Sequence, residues 1–123
     1  MAATSFEGSS SFCPALGEDM AHLVQQAQET FALLQTPKAI SDFALFYKSL
    51  GDETRLKIVA LLLLRDLCLC ELVDGLNVPT STMNHHLQML VKGGVIQGRR
   101  EGKFTIYHLN EAVRPYLPFV EVK

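Results

Sequence analysis

The stretch "LCELVDGLNVPTSTMNHHLQMLVKGGVIQGRREGKFTIYHL" (Leu69–Leu109) decides the fold, because its apolar period changes twice along its length. Leu69 to Asp74 reads as a short helix stopped by Gly75, and Asn77 and Pro79 mark a turn. "TSTMNHHLQMLVKGG" resumes as a longer helix, capped by Thr80 or Ser81 and ended by Gly93-Gly94. "VIQGRR" and "KFTIYHL" then flank Glu101-Gly102 and read as a β-hairpin with a tight turn. At about 100° per residue the longer helix divides cleanly. Met83, Leu87, Leu90 and Val91 fall in one sector and should pack inward. Ser81, His85, Gln88 and Lys92 project from the opposite side, with Thr82 at its margin. Such short polar groups can hydrogen-bond base edges, and Lys92 can reach a phosphate. His86 flanks the apolar sector and is expected to be half-buried and satisfied rather than a base reader. Arg99, Arg100 and Lys103 at the hairpin tip can lie along a phosphate backbone or enter a minor groove. Charged hairpin tips are common; the position right after a polar-faced helix is what gives this one functional meaning.

Working outward, Met20, Leu23, Val24, Ala27, Phe31 and Leu34 draw one apolar stripe, predicting a helix from about Glu18 to Gln35 that Pro37 ends. A second helix is expected from Ala39 to Leu50, closed by Gly51. Asp52 then looks like the N-cap of "ETRLKIVALLLL", with Glu53 in its first turn and an apolar face fit for the centre of a core. Asn110 is placed to cap a last short helix that Pro115 and Pro118 keep irregular. The predicted architecture is mainly α with a small β-hairpin wing, the layout of a winged helix-turn-helix. Residues 1–17 are expected to form a flexible N-terminal arm and residues 18–123 the domain.

At 123 residues the chain is sized for one domain, and 48% hydrophobic with 20% charged residues argues against global disorder. "MAATSFEGSSSF" lacks the basic start and apolar centre of a signal peptide, and the longest apolar run, Ile58–Leu64, is too short to span a bilayer. A cytoplasmic protein with no membrane partner is the expectation. The net charge of −2 hides an asymmetry: residues 1–78 carry five basic and ten acidic groups, residues 79–107 four basic and one acidic. A basic segment on an acidic chain is compatible with a nucleic-acid contact, though charge alone fits a solvated face as well. Three cysteines, an odd number, suit a reactive or ligand role better than a disulfide scaffold.

Cys68 and Cys70 stand two residues apart, open to three readings: packing, a redox couple or part of a metal site. Thiolates select thiophilic ions over hard cations. Residues i and i+2 lie roughly 200° apart on a regular helix but share a face in an extended segment. Both sulfurs are therefore expected to meet one ion only if the helix start around Cys68 is frayed or unwound, a conflict that can serve as a switch. Against this, free cysteines often serve as small buried hydrophobes, and a disulfide between such near neighbours is strained. A small thiol reductase is the remote alternative; the sequence carries no phosphate loop, Cys-x-x-Cys or placed histidine, so no enzyme is expected.

"LFYKSLGDETRLKIVALLL", "DLCLCEL", "HHLQMLVKGGVI" and "RREGKFTIYHL", spanning Leu45 to Leu109, resemble the ArsR/SmtB family of winged-helix metal-sensing repressors. The resemblance implies a homodimer that binds operator DNA and is released by a thiophilic metal(loid), As(III) foremost, so controlling a resistance operon. A Cd(II)- or Pb(II)-responsive, or a thiol-redox-responsive, repressor of the same fold is the alternative. It also implies that the first and last helices form the dimer interface, which would hold Leu23, Ala27, Phe31 and Leu34. "LCLCEL" looks like the family's Cys-x-Cys sensing motif, at the start of the first helix of the helix-turn-helix. The arsenic-sensing branch commonly has a third cysteine three residues after the second; here that position is Val73, and Cys13 becomes the candidate third ligand. A second family site, built on the last helix from Asp, His and Glu, is not expected because "NEAVRPYLPFVEVK" has no histidine.

Overall fold

A computed structural model describes residues 18–122, which divide into two compact units, one up to Ile40 and one from Ser41 onward. The smaller holds α1 (Glu18–Thr30), a 3-10 turn (Ala32–Leu34) and the start of α2 (Pro37–Leu50). Helix α1 is shorter than the stripe suggests. Thr30 Oγ1 donates back to the Gln26 carbonyl (2.7 Å), and Phe31 leaves helical space at φ −109°, ψ 119°. Phe31 and Leu34 thus fall outside the α1 helix. Thr36 caps α2 by accepting from the Ala39 N–H (3.1 Å), so that helix starts at Pro37, two residues earlier than expected, with proline in the favoured first position.

The larger unit continues with α3 (Glu53–Leu64), β1 (Leu67–Cys68), α4 (Leu69–Leu76), α5 (Thr80–Lys92), β2 (Ile96–Glu101), β3 (Phe104–Leu109) and a 3-10 helix (Glu111–Tyr116). Helix α3 supplies the centre of the core as its composition predicts. Ile58, Val59 and Leu62 pack with Leu72 of α4, Met83, Leu87 and Leu90 of α5, and Phe46, Val95, Ile96 and Leu109. Asp52 is its N-cap, accepting from the Arg55 N–H (3.1 Å). The end of α5 closes on α2 at Gly93, where a Cβ would lie 2.6 Å from the Ser49 Cβ, so only glycine admits the approach. All three strands are antiparallel in the order β1-β3-β2.

Several local expectations are corrected. Gly75 lies inside α4, which ends instead at Asn77 in the left-handed region (φ 55°), its N–H bonded to the Val73 carbonyl (2.9 Å). Helix α5 has no hydroxyl cap. Pro79 occupies the cap position and its carbonyl accepts from Met83 N–H (2.9 Å). Val91 is 44% exposed, because the buried arc centres on Met83 and Leu90 and leaves Val91 at its rim. Glu101 belongs to β2 and pairs with Phe104, so Gly102-Lys103 is the turn; Gly102 at φ +63° suits the first loop position of a II′ hairpin. Strand β1 is an addition to the expected hairpin. Asn110 does cap the last element, its Oδ1 accepting from Ala112 N–H (3.1 Å), but that element is a 3-10 helix. The fold class stands: a mostly helical domain with a small antiparallel sheet. Among the described residues no helix is long and apolar enough to cross a membrane.

Candidate functional site

Cys68 closes β1 and is the N-cap of α4, with extended backbone (φ −91°, ψ 168°), while Cys70 sits in the first helical turn. That change of backbone brings the sulfurs to 2.8 Å of each other. The 200° separation of a regular helix does not apply across an N-cap, so the thiols converge while the helix start stays intact. The expected conflict between chelation and helix is therefore absent. Cys68 N–H donates to Glu71 Oε1 (2.9 Å) and the Cys68 sulfur faces the Glu71 N–H, a capping box with sulfur in the usual place of a hydroxyl. Glu71 Oε2 accepts from Arg65 Nη2 (3.0 Å). The Cys68 amide, with the Arg65 charge, holds the Glu71 carboxyl below its ordinary range. Cys68 is buried and Cys70 exposed, both as free thiols. The hydrogen bond with Cys68, and then desolvation, pushes the Cys70 thiol up.

Two soft donors facing each other fit a thiophilic ion. At about 2.3 Å from each sulfur, an ion would spread them by only about 1 Å, a side-chain adjustment. Among the described residues no set of three His, Cys, Asp or Glu side chains converges on such an ion. Cys13, the candidate third ligand, lies outside the described residues.

On α5, Ser81, Thr82, His85, Gln88 and Lys92 are all exposed. Asn84 is exposed beside them and was missed by the sequence reading; its position about 60° from Ser81 on the helical wheel is the signal that would have found it. His86 is half-buried and engaged: Arg55 Nη1 donates to its Nδ1 (3.1 Å), and Asp52 Oδ2 lies 3.8 Å away. Arg55 Nε also donates to the Ser49 carbonyl (2.7 Å), so one guanidinium ties α5 to α2 and α3. The Arg55 N–H holds the Asp52 carboxyl below its ordinary value.

In the wing, Arg99 is enclosed by carboxylates: Nε donates to Glu101 Oε2 (2.6 Å) and Nη1 to Asp66 Oδ2 (2.9 Å), which raises its basicity further. Arg100 Nη2 donates to the Gly102 carbonyl (3.3 Å), and Lys103 is exposed in the turn. Sequence reasoning missed Asp66, Glu71 and Arg55; the spacing Cys68-x-x-Glu71, a capping box with cysteine in front, was the available signal for one of them. Cys68 pairs with Ile106 of β3, so the thiol-bearing strand is part of the wing sheet. In the smaller unit Leu23 and Phe31 are exposed while Ala27 and Leu34 are half-buried and line an open cavity of about 1090 Å³.

The sequence model of the "Bacterial regulatory protein, arsR family" matches residues 52–97, from the α3 cap to the first residues of β2. The cadmium resistance transcriptional regulatory protein CadC of Listeria innocua is 36% identical over 87 residues, 70% of each chain. This chain belongs to the arsR family. It is thereby a DNA-binding transcriptional regulator and not an enzyme. The arsenical resistance operon repressor of Escherichia coli K12 is 38% identical over 73 residues, 58% of this chain and 59% of that one. Among solved structures, a homodimeric winged helix-turn-helix DNA-binding domain from Mycobacterium bovis, described as a possible ArsR-family transcriptional regulator, superposes with a TM-score of 0.61. It is 26% identical and covers 63% of this chain and 73% of that one.

Proposed function

We propose that this family member is a dimeric repressor that leaves its operator when a thiophilic metal(loid), As(III) foremost, is captured by Cys68 and Cys70, and that it governs a resistance operon. The observation that carries the reading is the 2.8 Å convergence of the two sulfurs at the head of α4, the helix directly before α5. Relatives named as regulators of arsenical and cadmium resistance support an ion of this class, and cadmium is the alternative inducer. Ser81, Thr82, His85, Gln88 and Lys92 read the major groove; Arg99, Arg100 and Lys103 contact backbone phosphates. Leu23, Ala27, Phe31 and Leu34 join two copies, and Cys13 completes a three-thiolate site. Binding of the reduced protein to DNA from its own promoter, with and without arsenite or cadmium, tests the reading. Release by an ion, lost in Cys68→Ser and Cys70→Ser, is expected; unchanged affinity at saturating ion refutes it.

A second reading rests on the same distance. Sulfurs this close can also be oxidised by peroxide, two thiols and one peroxide giving one disulfide and two waters. Non-reducing mass spectrometry after peroxide treatment separates the two: a two-hydrogen mass loss with DNA release favours oxidation.

A further inference from the structure

Among the wing cations, Arg99 is the one gripped from two sides. Glu101 is its neighbour on the same strand and travels with it, whereas Asp66 reaches it across 33 residues of sequence, from just before β1. We propose that Asp66 is an internal competitor of DNA, occupying the Arg99 guanidinium face that a backbone phosphate would otherwise take. This rests on the reading that the wing contacts DNA.

The chemistry of the two partners is the same. Carboxylate and phosphate both present oxyanions to the guanidinium fork, and an Nη1 hydrogen bond given to Asp66 at 2.9 Å is not available to a phosphate in the same direction. The contact is not needed to hold the sheet together. Arg99 and Asp66 side chains are 44% and 45% exposed, and such pairs contribute little to folding. The β1–β3 ladder, Leu67 to Tyr107 and Cys68 to Ile106, already fixes that edge. An exposed ion pair that is dispensable for the fold and sits on a candidate phosphate contact acts mainly on affinity. Docking on DNA then exchanges Asp66 for a phosphate, and the carboxylate left behind repels the incoming backbone. Asp66 also lies two residues before Cys68, so the competitor and the thiol pair share one short segment.

The test is a set of four proteins, wild type, Asp66→Asn, Arg99→Ala and the double variant, titrated with a mixed-sequence DNA duplex over a salt series. Asp66→Asn is expected to bind about fivefold tighter than wild type, with the slope of log affinity against log salt steeper by about 0.9, one added phosphate contact. In the Arg99→Ala background the gain should shrink to well under half, the part that relief of charge repulsion supplies. Thermal unfolding of Asp66→Asn should match wild type. Equal or weaker binding by Asp66→Asn overturns the inference while leaving the DNA-binding reading in place. The same gain in the Arg99→Ala background also overturns it, since Asp66 would then act only through bulk charge. Failure of all four proteins to bind duplex at low salt overturns both.

Discussion

Replacing Cys68 separates its capping duty from the ion binding proposed for it, because serine can perform the first and not the second. As N-cap of α4 the residue offers an acceptor to the Glu71 N–H while its own N–H is held by Glu71 Oε1. A serine hydroxyl is among the best N-cap acceptors, and a cap replaced by alanine typically costs about 1 kcal/mol. Cys68→Ser should therefore hold its unfolding free energy within about 1 kcal/mol of wild type, and Cys68→Ala should be the less stable variant by a similar amount. Ion capture behaves differently. With the sulfurs 2.8 Å apart, the second thiolate is delivered within the molecule, and losing such a tethered partner lowers affinity by about 10²- to 10⁴-fold. Urea unfolding gives the first quantity. Cadmium or arsenite titration of the reduced protein, followed by sulfur-to-metal absorption, gives the second. The expected outcome is a Cys68→Ser protein that is folded, binds DNA and has lost at least about 100-fold in ion affinity. Wild-type ion affinity in that variant would refute the role of the pair, and a loss of stability as large as that of Cys68→Ala would refute the capping role.

Arg55→Met should cost about 1.5–3 kcal/mol in unfolding free energy, since the Ser49 carbonyl and His86 lose a charged donor, and DNA binding should weaken with it; urea unfolding and DNA titration read both. Gly93→Ala should destabilise by about 1–3 kcal/mol in thermal unfolding, because the new methyl drives into Ser49. Ion affinity should climb with pH by about tenfold per unit for each proton displaced, and because the Cys70 thiol is raised the climb should continue past its ordinary value; isothermal titration across pH checks this. The Asp52 and Glu71 carboxyls are lowered in the fold, so their stabilisation is present above the unfolded carboxylate range and is lost as pH falls through their folded values. Urea midpoints should thus drop below about pH 4, and less steeply in Asp52→Asn.

The chain announces its fold where local chemistry and burial agree. Asp52 before an apolar helix, and the alternation of polar and apolar residues along α5, are decided by neighbours a few residues away, and the structure keeps both. What escaped depends on distant partners or on backbone detail. Strand β1 exists because Leu67 and Cys68 find Tyr107 and Ile106 almost forty residues on, and a two-residue strand leaves no periodic trace. Gly75 looked like a stop, yet Asn77 tolerates the left-handed turn and takes that role. The thiol pair straddles a helix start that the sequence places at Leu69, as the structure does, but how close the sulfurs come depends on backbone detail. The 200° separation holds only for two helical residues, whereas Cys68 is an N-cap, half outside the helix, and its sulfur meets that of Cys70 with α4 intact. The grip on Arg99 was illegible for the same reason as β1: Asp66 and Arg99 meet only through the sheet.

The extended backbone at Cys68 changes how a signal can travel. If capture required α4 to unwind, binding an ion would have to supply the free energy of a helical turn. With the helix intact, Cys68 is at once a rung of the wing sheet, the cap of α4 and the proposed ion ligand, so a displacement of about 1 Å on ion capture would be felt by sheet and helix together. Each affected contact is modest: a cap is worth about 1 kcal/mol and an exposed ion pair less. A tenfold change in DNA affinity needs about 1.4 kcal/mol. One weakened cap and one altered wing contact in a single subunit reach about that figure, and a symmetric dimer, in which both subunits grip the same operator, doubles it to about a hundredfold. Small shifts at one doubly employed residue are therefore enough for a regulator of this fold, provided they act in both copies.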